Sequence, residues 1–212
     1  PDRGRWETDG LIRYQEISSL EEIVTDRQSD FSPKEVIFPV SQPIFKFDED
    51  TCRESVSSDP KGIIIFARPC DVNGLKRLDN MFLANGGVAD TYYSRNRSRV
   101  KIFMMECEQS WDNCFCVSMK TNKADYYSVA CRLSGNEILL KIKDAEFAEY
   151  FDWAKTCEYE PQFIMENERK VTVPEITDSA MRREIADLDM WNDYDDKCIS
   201  CGGCNTVCPT CS

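Results

Sequence analysis

Up to residue 60 the apolar positions come in short, broken pieces. Val36, Ile37 and Phe38 make one, Ile44, Phe45 and Phe47 another, with Pro39 and Pro43 between them. Proline fixes φ and removes a donor, so both pieces predict short strands or extended segments around a turn. The pattern then changes. Residues 61–67 hold an unbroken, β-branched run, Ile63-Ile64-Ile65-Phe66, which predicts a strand buried on both faces. After Arg68-Pro69-Cys70-Asp71, Leu75, Leu78 and Phe82 recur at helical spacing, with Asp71 as the expected cap. Residues 100–105 read as a second strand. Strand, tight turn, helix and strand are the parts of a βαβ unit, and so of a partly parallel sheet.

Further along, residues 126–133 and 137–142 flank Ser134-Gly135-Asn136, the signature of a hairpin with a three-residue turn. Phe147, Tyr150, Phe151 and Ala154 have helical spacing. Residues 170–174 read as extended. Asp178, Met181, Ile185 and Leu188 mark a last helix, and a boundary falls near 174–178. Residues 1–175 therefore predict an α/β (or α+β) domain with a small, partly parallel sheet.

Charge and composition narrow the function. The net charge of −12 repels phosphate backbones, so nucleic acid is a poor partner. The basic stretch Arg95, Arg97, Arg99 and Lys101 reads as a solvated loop edge or a docking patch for an acidic partner. No apolar run nears the ~20 residues that a membrane span requires, and no signal peptide is visible. A cytoplasmic setting is expected. Twelve cysteines and no histidine exclude serine–histidine triads and Cys/His zinc fingers.

Five of those cysteines crowd into residues 198–211, whereas disulfide frameworks spread theirs to close loops. Cys198-x2-Cys201-x2-Cys204-x3-Cys208-Pro209 is the bacterial ferredoxin ligand pattern. Cysteines three apart on a tight loop reach different corners of a 4Fe–4S cubane. Gly202 and Gly203 allow a close backbone approach, so that N–H groups point at sulfur. In two-cluster proteins the fourth cysteine, here Cys208, serves the other cluster. Residues 176–212 thus predict the first half of a mostly helical, ferredoxin-type dicluster domain, the partner run being expected beyond Ser212. A structural zinc site is the rival reading of four cysteines, but zinc knuckles are usually separated by a longer loop. Cys211 stands outside the four-cysteine pattern.

A second set is more dispersed. Cys70 follows the first long strand, Cys107 follows the second, and Cys114 and Cys116 come soon after. The carboxyl ends of parallel strands lie together, so these four can converge on a further cluster, or each can be an ordinary buried thiol. Cys52, Cys131 and Cys157 are isolated and read as plain thiols. Tyr92, Tyr93, Tyr126 and Tyr127 read as core or sheet residues, and no pair of carboxylates stands out as an acid–base couple.

The segments Leu11-Ile12-Arg13-Tyr14, Phe31-Ser32-Pro33-Lys34-Glu35, Ala67-Arg68-Pro69-Cys70-Asp71, Asp90-Thr91-Tyr92-Tyr93, Glu106-Cys107, residues 114–119 and the terminal run together resemble the dicluster ferredoxin family. That family includes the A subunits of anaerobic sulfite reductases and the β subunits of cytoplasmic sulfhydrogenases. Residues 101–107 and the N-terminal segments favour the sulfite reductase branch. The resemblance implies a non-catalytic electron-transfer subunit. It would relay electrons from a flavin subunit that oxidises NADH to a sirohaem subunit that reduces sulfite. It also implies that Cys70, Cys107, Cys114 and Cys116 bind a 4Fe–4S cluster. A hydrogenase complex is the alternative setting.

Overall fold

The structure, a computed structural model, describes residues 10–39, 41–55, 61–134 and 137–211. Its centre is a four-stranded sheet in the order β3 (Ile63–Ala67), β4 (Val100–Met105), β5 (Val129–Ser134) and β6 (Glu137–Ile142). β3, β4 and β5 are parallel and β6 returns antiparallel, so the sheet is mixed. A separate two-stranded ribbon pairs β1 (Phe45–Phe47) with β2 (Cys52–Glu54).

Side chains alternate across the sheet. Ile65, Ala67, Val100, Ile102 and Met104 face α2 (Pro69–Asp79), whose Val72, Leu75 and Leu78 are each about 1% exposed. Burying one such side chain stabilises by about 1.5–3 kcal/mol. Phe103 and Val129 face the other way, onto Phe147 of the 3-10 turn Ala145–Phe151. The element predicted at residues 147–154 is thus a tighter helix than expected. β3 is an edge strand with Ile64 49% exposed, so its apolar run is not buried on both faces.

Other expectations shift for local reasons. Residues 36–38 are not extended: Lys34–Ile37 form a single helical turn, α1, that buries Ile37 in the main core. Pro33 explains it, because a proline suits the start of a helix. α2 begins at Pro69 with Arg68 as its cap position, three residues before the expected cap Asp71. It ends in a wider turn at Asn80–Ala84. The hairpin exists, but Ser134 belongs to β5 and pairs with Glu137 instead of opening a three-residue turn; Gly135 and Asn136 lie outside the described residues.

The basic stretch is not a loop edge but spans a helix and the start of β4. Thr91–Arg97 form α3, capped by Asp90, which accepts from the Tyr93 amide at 2.7 Å. Arg97 is buried on Asp79, Arg95 pairs with Glu54, Arg99 donates to the Lys61 carbonyl, and Lys101 meets Asp144 and Glu146. Each of the four cations has a partner within the chain, and only Arg97 is buried.

Beyond residue 175 come α4 (Ser179–Ala186), α5 (Asn192–Asp195) and α6 (Gly203–Val207), with no buried residue in any of them. Asp178 caps α4, accepting from the Met181 amide. No described helix is long and apolar enough to cross a membrane.

Candidate functional site

The carboxyl ends of β3 and β4 are adjacent, since Ala67 pairs with Met104. Cys70 lies three residues past the first of these positions and Cys107 three past the second, so topology alone brings them to one sheet edge. The exit of β4 is fixed by Glu106, whose side chain is 4% exposed. It accepts from Arg132 Nε at 2.6 Å, from the Gln162 amide at 2.8 Å and from the Tyr159 hydroxyl. Cys107 therefore leaves a rigid anchor.

The loop carrying Cys114 and Cys116 folds back to the same edge. Asn73 of α2 donates to the carbonyls of Thr121 and Lys123, tying the end of this loop to the helix that carries Cys70. Cys107 and Cys116 both act electrostatically on Cys70, and Cys114 and Cys116 act on Cys107. Cys107 and Cys116 thus lie near Cys70, and Cys114 and Cys116 near Cys107.

Their surroundings are unusual for plain thiols. The Trp111 amide points at Cys114 Sγ from 3.4 Å and Gln28 Nε2 from 3.1 Å. Asn167 Nδ2 lies 3.6 Å from Cys116 Sγ, while its Oδ1 accepts from the Val117 amide at 2.8 Å. Arg68, 7% exposed, places Nη1 3.6 Å from Cys107 Sγ. Its other end donates to the carbonyls of Thr25 at 2.8 Å and Arg27 at 2.9 Å, and its guanidinium stacks on Trp111 at 4.4 Å. Three of the four sulfurs thus have N–H donors within reach.

Cys70 stays open to solvent, yet protein surrounds it closely enough that burial pushes its thiol well up, helped by the charge of Asp71. The sulfur sits in a recess. Burial also raises Cys107, and the Arg68 charge partly offsets this. Tyr14 donates to Asp71 Oδ2 at 3.0 Å, fastening the segment of residues 11–14 to the first turn of α2.

The terminal run is laid out differently. Cys198, Cys201 and Cys204 are exposed, and Cys208 and Cys211 are half-buried. Gly202 takes φ +70° and so supplies the left-handed step ahead of α6. Gly203 does not; the second left-handed residue is Ser200 at +56°. Burial acts to raise the Cys208 thiol, but hydrogen bonds from Cys211 and Thr210 outweigh it and bring it down to about 7. Among the described residues no three cysteine or carboxylate side chains close on a point where a single metal ion would sit.

The isolated cysteines behave as plain thiols. Cys131 is buried in β5, reaches the Met104 carbonyl at 3.5 Å and is pushed up to about 12 by burial. Cys52 and Cys157 are exposed.

No family model matches the chain, and no solved structure matches it. One curated protein does: the chain is 27% identical, over 212 residues, to a protein named sulfhydrogenase 2 subunit beta from Pyrococcus furiosus. The similarity covers 94% of this chain and spans 62% of that relative.

Proposed function

We propose that this chain belongs to an electron-transfer subunit of a multi-subunit oxidoreductase and holds 4Fe–4S clusters. Cys70, Cys107, Cys114 and Cys116 bind one cluster. Cys198, Cys201 and Cys204 serve a second, and Cys208 a third within a ferredoxin-type dicluster domain that begins near residue 176. The observation that carries the reading is the set of N–H donors from Arg68, Trp111, Gln28 and Asn167 around the half-buried sulfurs of Cys107, Cys114 and Cys116. Thiolate ligands of a cluster take such bonds, and the bonds tune its potential. Neutral thiols have little use for them.

The donor set fits a cubane better than a lone ion. Each cysteine of a cubane binds its own iron corner, so the sulfurs stand wider apart than around zinc. A site whose sulfurs share a recess without closing on one point has that character. When bound, the clusters supply one-electron transfer. The protein's part is to seat them, to donate hydrogen bonds to sulfur and to hold Arg68 as a positive charge beside Cys107.

Two partner sets are distinguished by observation. The similarity to a sulfhydrogenase β subunit favours a hydrogenase complex. The resemblance of residues 101–107 and of the N-terminal segments favours relay from an NADH-oxidising flavin subunit to a sirohaem sulfite-reducing subunit. A neighbouring gene for one catalytic subunit or the other separates them. The cluster reading is tested by iron, sulfide and zinc analysis after anaerobic reconstitution. Broad visible absorbance that bleaches on reduction is expected, and a colourless protein with stoichiometric zinc overturns it.

A further inference from the structure

The segments that carry the two cysteine sets meet on one helix. α2 begins with Pro69 and Cys70, and Gly74 lies four residues on, on the same face, about 6 Å along the axis at 1.5 Å per residue. Pro209 rests against Gly74: a Cβ on that glycine would come within 3.0 Å of Pro209 Cβ and 3.6 Å of its carbonyl oxygen. Glycine costs helix stability, so its place mid-helix calls for a packing reason, and Pro209 supplies one.

A second clamp holds the same stretch. Lys34 is 5% exposed, and its ammonium donates to the Cys211 carbonyl at 2.9 Å and to the Asn205 carbonyl. A lysine is rarely buried unless its charge is met, and here two carbonyls of the terminal run meet it. Residues 205–211 are therefore seated against α1 and α2, although most of the segment after residue 175 is exposed.

We infer that Lys34 and Gly74 are positioning residues for electron exchange between the two cysteine sets, with the first turns of α2 as the spacer. The inference rests on the cluster reading above. One electron leaves a reduced centre at one set and enters the oxidised centre at the other; no bond forms or breaks and no proton is required. Cys208 precedes the proline that touches α2, so it is the terminal cysteine fixed relative to Cys70. A side chain at position 74 would push Pro209 away, and loss of the lysine would release both carbonyls.

The test has two arms, both on the full-length protein. In metal-free protein, Gly74→Leu and Lys34→Met should raise the alkylation rates of Cys208 and Cys211 several-fold with the circular dichroism unchanged. Unchanged rates overturn the inference whether or not clusters form. Should Gly74→Leu disturb folding, Gly74→Ala and Lys34→Gln give the same readout in milder form. In reconstituted protein reduced with dithionite, electron paramagnetic resonance should show a magnetic interaction that Cys107→Ser removes. Gly74→Leu should remove it too, at unchanged iron content. Wild-type protein with both sets filled and no such interaction overturns the inference and leaves the cluster reading standing. Protein without iron at either set overturns both.

Discussion

The two cysteine sets contrast in how the fold treats sulfur. The strand-end set lies in a recess built by the core, with donors drawn from four separate stretches of chain. The terminal set lies mostly in the loops around the short helix α6, and most of its sulfurs face solvent. The first site is dispersed in sequence and built in space; the second is compact in sequence and open in space. A dense motif can dictate its own loop and so needs little from the rest of the chain. A dispersed one has to be assembled by tertiary structure, which also supplies its hydrogen bonds.

The largest expected effect breaks the comparison at the ligands. In reconstituted protein treated with a chelator, iron should leave in a fast phase from the exposed run and a slow phase from the recess. Cys107→Ser should abolish the slow phase alone, and Cys201→Ser the fast one. A time course of visible absorbance checks this, and a single phase unaffected by either change would sink it. Next in size is Arg68→Gln. It removes the donor to the part-buried Thr25 and Arg27 carbonyls, and a typical hydrogen bond contributes about 0.5–1.5 kcal/mol. Denaturant unfolding should move accordingly, and the reduction potential of the recessed centre should fall with the lost positive charge. Arg68→Lys should not restore stability, because one ammonium cannot span two carbonyls, a sulfur and a ring face. Asn167→Ala is milder and should weaken metal retention at the recess about 10- to 100-fold, the usual range for an outer hydrogen-bond partner.

How much of this was legible in the sequence differs between the two regions. The parallel β3–β4 pair follows from two apolar runs flanking a helical spacing, so Cys70 and Cys107 could be placed together beforehand. Cys114 and Cys116 could be suspected from proximity in the chain. Gln28 and Asn167 could not: each reaches the site over a long loop with no periodic signal. Trp111, three residues before Cys114, offered only the hint of an aromatic beside cysteines. Arg68 stood in a quoted motif, but its partners Thr25, Arg27 and Trp111 are tertiary. Lys34 stood only within a family-like segment and Gly74 carried no signal, because a buried lysine and a helix glycine gain meaning only when Pro209 and its neighbours arrive. The misread turn at residues 34–37 has a simpler cause: a single helical turn shows too few residues for its period to appear.

The smallest effect is a pH profile, and it sharpens the comparison most cheaply. In metal-free protein Cys208 should alkylate with a midpoint near pH 7, since its thiol is brought down to about 7. Cys70 and Cys107, raised by burial, should react only at more alkaline pH, and Cys131 only towards pH 12. The thiolate is the nucleophile, so the order of midpoints follows the order of these shifts. Stability runs in opposite senses in the two regions. A lowered folded-state pKa contributes stability above the unfolded thiol value and loses it as pH falls through about 7, so Cys208 favours its loop under alkaline conditions. The raised thiols contribute stability below the unfolded value and lose it as pH climbs through their folded values, so the recess weakens there. Cys211→Ala removes the main hydrogen bond lowering Cys208 and should return its midpoint towards that of an ordinary thiol. Mass spectrometry of alkylated peptides across pH reads all four cysteines at once. A Cys208 midpoint unmoved by Cys211→Ala would show that its acidity comes from elsewhere in the run.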